Sequence, residues 1–256
     1  MNSIELLGDE RLDKVNEKIT IIQKKDGLTF GTDAYLLAAF MKEQKKACAV
    51  ELGAGTGIIS LLCAARGRFS HIDAVEIQED FFKLTVRNIK INGFEDTVTA
   101  HLFDAREISS NTFEREVDVV FTNPPYMRVD SGARNLSDRK YIARHEVCGD
   151  VGDFCRAAYR LLKHGGYFYC VWRPDRLSSL MAAMRENRLE PKDCCFVHAD
   201  AESEPSMVLI SAIKGGAEGL RVMPPLLLHE VRVDENQARE LTDRAKRIYD
   251  TMSFTE

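Results

Sequence analysis

The sequence predicts one α/β domain built on a mostly parallel seven-stranded sheet with one antiparallel strand, helices on both faces and an N-terminal hairpin extension. Three observations predict it. From about Ala47, short apolar runs alternate with amphipathic stretches in the regular succession of βαβ units. Three glycines stand where the first run gives way to the first helix. The last two runs, Cys194 to His198 and Met207 to Ile213, are joined only by residues 199–206. That connection is too short for a crossover helix, so these two strands pair antiparallel.

Residues 1–45 form the extension. Ile19 to Gln23 is apolar and rich in β-branched residues, Lys24-Lys25-Asp26-Gly27 is a turn signal, and Leu28 to Phe30 reads as the return strand of a hairpin. A short helix follows, with Thr32 or Asp33 as N-cap and continuing to Phe40. Residues 46–214 carry the main domain. Its first five strands are Ala47 to Leu52, His71 to Ile77, Val98 to Leu102, Val117 to Thr122 and Tyr167 to Trp172. Helices are expected from Gly57, up to Asn92, from Gly152 to Leu162 and from Arg176 to Asn187. Residues 215–256 pass a Pro224-Pro225 kink and end in a charged helix near Asp234 to Asp250, packed on the same domain.

Composition excludes several classes. With 256 residues, 45% hydrophobic and 29% charged, the chain has the profile of a globular protein with a full core. No apolar run approaches the eighteen or so residues that span a bilayer, so a cytoplasmic location is expected. The seven cysteines include no C-x-x-C pair and several fall in apolar runs, which reads as reduced core thiols and no metal site. A net charge of −5 argues against polyanion binding by the whole surface. A local basic stretch remains: Arg128, Arg134, Arg139, Lys140 and Arg144 face only Asp130 and Asp138 within residues 128–145. With Arg156, Arg160, Arg173, Arg176, Arg239, Arg244, Lys246 and Arg247 it forms a candidate RNA surface.

Glu51-Leu52-Gly53-Ala54-Gly55-Thr56-Gly57 marks the cofactor site. Glycine there permits a tight turn and lets backbone touch a ligand at the carboxyl edge of the sheet. The spacing is G-x-G-x-G, not the G-x-G-x-x-G of dinucleotide proteins, which favours a cofactor without a pyrophosphate. Glu76 ends the second strand, where a carboxylate can accept bonds from both ribose hydroxyls. Asp104, followed by Ala105, stands after the third, within reach of an adenine amine. Together they indicate an adenosine site. With a Rossmann-like sheet closed by one reversed strand, they point to S-adenosylmethionine (SAM).

Asn123-Pro124-Pro125-Tyr126 ends the fourth strand beside that crevice. By chance the tetrapeptide would arise about once in a thousand chains of this length. An exocyclic amine on a base or amide is a poor nucleophile, because its lone pair is delocalised. The Asn123 side-chain carbonyl and the Pro124 backbone carbonyl can each accept one N–H, and those bonds strengthen as the nitrogen gains positive charge. Tyr126 offers a flat face for the planar group, with stacking worth roughly 1 to 3 kcal/mol.

The chain resembles the bacterial tRNA (adenine-N6)-methyltransferases that modify the adenine at position 37 of a valine tRNA. The resemblance rests on Phe30-Gly31-Thr32-Asp33, Glu51 to Gly57, Asn123 to Tyr126, Ala143 to Glu146, Leu162 to Gly166, Arg173-Pro174 and Pro224-Pro225-Leu226. It implies a class I SAM-dependent fold and methyl transfer to the N6 amine of an unpaired tRNA adenine. It also implies that Thr32 and Asp33 border the cofactor and that Arg144, His145 and Glu146 shape the crevice opposite Tyr126. A monomer or weak homodimer is expected. Four other readings remain open: a protein glutamine N5-methyltransferase, another nucleic-acid N-methyltransferase, a SAM-sensing RNA-binding module, and a nicotinamide dehydrogenase.

Overall fold

The computed structural model of the protein describes residues 5–25, 31–124, 149–231 and 238–254. Strands β3 (Cys48–Leu52), β4 (His71–Glu76), β5 (Val98–Leu102), β6 (Val117–Thr122), β7 (Leu162–Trp172), β8 (Leu189–His198) and β9 (Pro205–Lys214) form the body of the main sheet. Their order is β8-β9-β7-β6-β3-β4-β5. Pairing is parallel from β7 through β6, β3 and β4 to β5, while β9 runs antiparallel to both β7 and β8. The seven expected strands and the reversed one are therefore present. Two dipeptide strands, β10 (Arg221–Val222) and β11 (Leu226–Leu227), extend the edge beyond β8 to nine strands.

The inner parallel strands β3, β4 and β6 are buried on both faces, which is why they read as continuous apolar runs. Ala49, Phe121, Tyr169 and Val171 point into one core with α1 (Thr32–Phe40), α2 (Ile58–Ala65) and α3 (Glu79–Asn92). Their sequence neighbours Val50, Val120, Phe168 and Cys170 point into the other, with α4 (Val151–Leu161) and α5 (Leu177–Glu186). The final helix, α6 (Asp243–Thr251), adds Ala245 and Ile248 to the first core. Arg68, buried between α1 and α6, donates to the carbonyl of Met41 and, at 2.5 Å, to that of Met252. Five of the six described cysteines are buried free thiols.

Three expectations need correction, the first being the N-cap of α1, which is Gly31 and neither Thr32 nor Asp33. The N-terminal hairpin joins β2 (Thr20–Lys24) to an upstream strand, β1 (Glu10–Lys14), in antiparallel register Glu10↔Lys24 to Lys14↔Thr20. Residues 28–30, the anticipated return strand, lie outside the described residues. The upstream partner escapes sequence reading because Glu10-Arg-Leu-Asp-Lys14 is almost wholly charged and only Glu10 is buried. The last helix begins at Asp243 because Thr242 caps it, accepting from the Ala245 N–H at 3.1 Å; residues 234–237 lie outside the described residues.

The free edge of β2 is docked onto α3 by side chains that imitate a strand. Asn88 accepts from the Ile22 N–H at 2.7 Å and donates to its carbonyl at 3.1 Å. One turn on, Asn92 does the same for Thr20, at 3.0 and 2.7 Å. The i,i+4 spacing on the helix matches alternate residues of the strand, so each carboxamide satisfies a donor and an acceptor that would otherwise be orphaned. Arg87, beside Asn88, bonds both oxygens of the buried Glu10 at 2.7 and 2.9 Å.

Candidate active site

The strand order reverses between β3 and β6, since β3 leads outward through β4 to β5 and the chain then returns to the opposite side of β3. Such a switch point opens a crevice at the carboxyl ends of the strands. Register fixes what lines it. Leu52 pairs with Thr122, so the next residues, Gly53 and Asn123, emerge side by side. The Thr122 hydroxyl donates to the Leu52 carbonyl at 2.8 Å and ties the two strand ends together. The glycine loop and the Asn-Pro turn, seventy residues apart, are thereby one site.

The loop is held from three sides. Gly53 and Ala54 both donate to the Val75 carbonyl at 2.9 Å. The Gly55 N–H donates to Glu76 Oε2 at 2.8 Å. From α3, the Thr85 hydroxyl reaches the Gly55 carbonyl at 2.7 Å and Asn88 reaches the Thr56 carbonyl at 3.0 Å. Gly57 sits at φ +78, and a Cβ there would stand 2.8 Å from Thr85 Cγ2, so glycine is required for helix packing. Gly55, at φ +57, is different: nothing lies within 4 Å of the position its Cβ would take. Open space against a rigid backbone turn is what a ligand cradle needs.

Glu76 ends β4 as expected, buried, with Oε2 on Gly55 and Oε1 accepting from the Gln78 N–H at 2.8 Å. Burial raises its pKa above the ordinary value against the pull of those backbone bonds. Each oxygen retains acceptor capacity for a hydroxyl. Glu51 stands behind the loop, fully buried, its Oε2 accepting from the Ser60 backbone at 3.1 Å and from the Ser60 hydroxyl. Desolvation pushes its carboxyl up to about 8. Asp104 caps the 3-10 turn Ala105–Glu107, accepting from the Arg106 N–H at 2.8 Å, and forms an ion pair with the Arg106 side chain at 2.6 Å. That pairing holds its pKa below the usual carboxylate value.

Asn123 is half-buried and Pro124 buried at the mouth of the crevice. The Asn123 side-chain nitrogen donates to Asp33 Oδ2 at 2.9 Å, across ninety positions of sequence. Asp33 belongs to the first turn of α1, next to Thr32, its first residue. The structure thus brings Gly53, Gly55, Glu76 and Asn123 together at the carboxyl ends of β3, β4 and β6, with Asp33 joined to Asn123 and Thr32 next to it in the chain, Glu51 and Gly57 behind the loop, Pro124 after Asn123, and Asp104 and Ala105 after β5. Pro125, Tyr126, Arg128, Arg134, Arg144, His145 and Glu146 lie outside the described residues.

Sequence reading missed Thr85 and Asn88, which clamp the loop, and the contact between Asp33 and Asn123. Asn88 and Asn92, four apart within a helix and poor helix formers, were the available signal. Among the described basic residues, Arg156 pairs with Asp153, Arg173 with Asp175, and Arg244 donates to the Pro224 and Pro225 carbonyls. Exposed pairs of this kind are weak enough to exchange for phosphate. No group of three His, Cys, Asp or Glu among the described residues could hold a metal ion, and no described helix is long and apolar enough to cross a membrane.

Fold and site together define a SAM-dependent methyltransferase, and residues 24–187 match the methyltransferase small domain family, to which the chain belongs. Among curated proteins it is similar to the tRNA1(Val) (adenine(37)-N6)-methyltransferase of Dyadobacter fermentans, at 32% identity over 159 residues, covering 62% of this chain and 64% of that one. A protein of the same name from Phocaeicola vulgatus is 29% identical over 195 residues, covering 76% and 81%. A crystal structure of a predicted O-methyltransferase from Agrobacterium tumefaciens superposes with a TM-score of 0.68 at 20% identity, covering 87% of this chain and 97% of that one, a likeness of fold.

Proposed function

We propose that the protein transfers a methyl group from SAM to the exocyclic N6 amine of an adenine in tRNA, at position 37 beside the anticodon, in the cytoplasm. The observation that supports this reading is the register of β3 against β6, in which Leu52 pairs with Thr122 so that Gly53 and Asn123 follow side by side. The names of the curated relatives supply the nucleoside and the RNA.

The residues present fit the cofactor. Gly55 leaves room where any side chain would intrude, Gly53 and Gly57 hold the turn, and Glu76 offers two acceptor oxygens at the end of the neighbouring strand. Asp104 and Ala105 would border the adenine and Thr32 the opposite side. Bound there, SAM supplies a sulfonium-activated methyl group. The protein's own task is to present the nucleophile. Asn123 and Pro124 accept the two N–H bonds of the amine and turn its lone pair away from the base, an interaction that strengthens as positive charge develops. Tyr126 stacks on the base, and no strongly basic side chain is needed because the methylated ammonium loses its proton to water. Pro125, Arg128, Arg134, Arg144 and His145 are assigned to holding the RNA.

The test is incubation with labelled SAM and unmodified total tRNA, followed by identification of the labelled nucleoside by mass. N6-methyladenosine is expected. Label on protein glutamine, or none on RNA, would overturn the reading. Asn123→Ala should retain SAM binding and lose turnover about 100-fold; a near-normal rate would remove Asn123 from the chemistry.

A further inference from the structure

We propose that Asp33 is a positioning residue that fixes the polarity of the Asn123 carboxamide and thereby restricts the site to nucleophiles that bring an N–H. This rests on the methyl-transfer reading above. A carboxamide has two nearly equal ends, and either could be turned toward substrate. An acceptor is needed for an amine; a donor in that place would suit a ring nitrogen or a carbonyl oxygen instead. Nothing intrinsic to asparagine selects between them.

Asp33 makes the selection. Its Oδ2 stands 2.9 Å from Asn123 Nδ2. A carboxylate only accepts, so a flipped amide would set oxygen against oxygen, and the amide oxygen is directed away from Asp33. Asp33 is itself constrained: its Oδ1 accepts from the Ala34 N–H at 2.9 Å. A second observation points the same way. Gly31 has φ −114 and ψ −176, backbone that any residue adopts, so its conformation does not call for glycine. Space does: a Cβ at Gly31 would fall 2.7 Å from Asp33 Oδ1. Gly31 thus clears the room in which Asp33 folds back on the first turn of α1 and reaches Asn123.

Exchange of the partners' chemistry gives the test. In Asp33→Asn the new carboxamide keeps its oxygen on Ala34 and turns an NH2 toward Asn123. Asn123 then flips to offer its own oxygen and directs its NH2 at the substrate. The double variant Asp33→Asn/Asn123→Asp restores an acceptor on the substrate side. The carboxylate then at position 123 can accept from the carboxamide at position 33 with one oxygen and from the amine with the other.

At saturating SAM we expect Asp33→Asn to lose kcat about 100-fold, and the double variant to regain at least tenfold over it. Gly31→Ala should lower kcat about tenfold without moving the KM for SAM. The side-chain amide resonance of Asn123, assigned by its disappearance in Asn123→Ala, should in the cofactor-free protein show one downfield proton that Asp33→Asn shifts upfield. Near-normal turnover in a folded Asp33→Asn, a double variant no better than the single, or an unshifted resonance would each overturn the proposal. If the unsubstituted protein leaves tRNA unlabelled, the functional reading fails while the resonance still decides the role of Asp33.

Discussion

Glu51 offers the most quantitative consequence of the site's construction. The carboxyl is fully buried behind the glycine loop, and desolvation raises its pKa from 4.5 to about 8. In the unfolded chain it ionises near 4.5, so between that pH and about 8 the unfolded state has lost a proton that the native state keeps. Stability therefore falls as pH rises through this window, by roughly 1.4 kcal/mol per unit, and levels off above the native value. Between pH 5.5 and 8.5 the loss attributable to this one group is about 3 kcal/mol. Glu51→Gln removes the titration but can keep both bonds from Ser60, since its carbonyl oxygen can replace Oε2. Urea unfolding of the SAM-free protein, followed through the fluorescence of Trp172, the chain's single tryptophan and a buried one, reads the effect. The substituted protein should gain about 3 kcal/mol on the unsubstituted one between pH 5.5 and 8.5. Parallel stability profiles for the two proteins would refute the raised pKa.

The remaining predictions concern the loop and its clamp. Gly57→Ala combines a left-handed φ with a 2.8 Å approach to Thr85 and should cost about 2 to 3 kcal/mol. Gly55→Ala meets open space and should cost about 1 kcal/mol, yet lower SAM affinity at least tenfold. Equal stability losses, or an unaltered affinity in Gly55→Ala, would contradict the cradle assignment. Asn88→Ala orphans the Ile22 N–H and the carbonyls of Ile22 and Thr56, so a loss of about 2 to 4 kcal/mol is expected in urea, with weaker SAM binding as the loop loosens. A change below about 0.5 kcal/mol would show that water replaces the carboxamide.

The strands of this fold were legible where both faces are buried. Val117–Thr122 has the limits its apolar run suggests, because a parallel strand ends where helices on both faces stop covering it. Legibility fails at the edges. Strand β8 starts at Leu189, five residues before the apolar run at Cys194, and carries Pro191 next to a register shift. Proline in a run argues against a strand, and only the irregular pairing at that point accommodates it. Strand β1 is invisible for the opposite reason: its partner β2 is covered by α3, and β1 itself needs little apolar surface.

The site divides along the same line. Residues at strand ends could be placed from sequence because β-strand order converts them directly into a crevice; Gly53, Glu76 and Asn123 are of this kind. The polarity of the site could not. Whether Asn123 shows an oxygen or an NH2 to a ligand depends on Asp33, which lies in a helix that precedes the sheet and packs on α2, α6, β7 and β9. A different helix, α3, holds the Gly55 and Thr56 carbonyls through Thr85 and Asn88. The cofactor loop and the polarity of Asn123 are therefore set from two separate helices. Loosening α3 at Asn88 should act first on cofactor binding, whereas a change at Asp33 should act first on the orientation of Asn123.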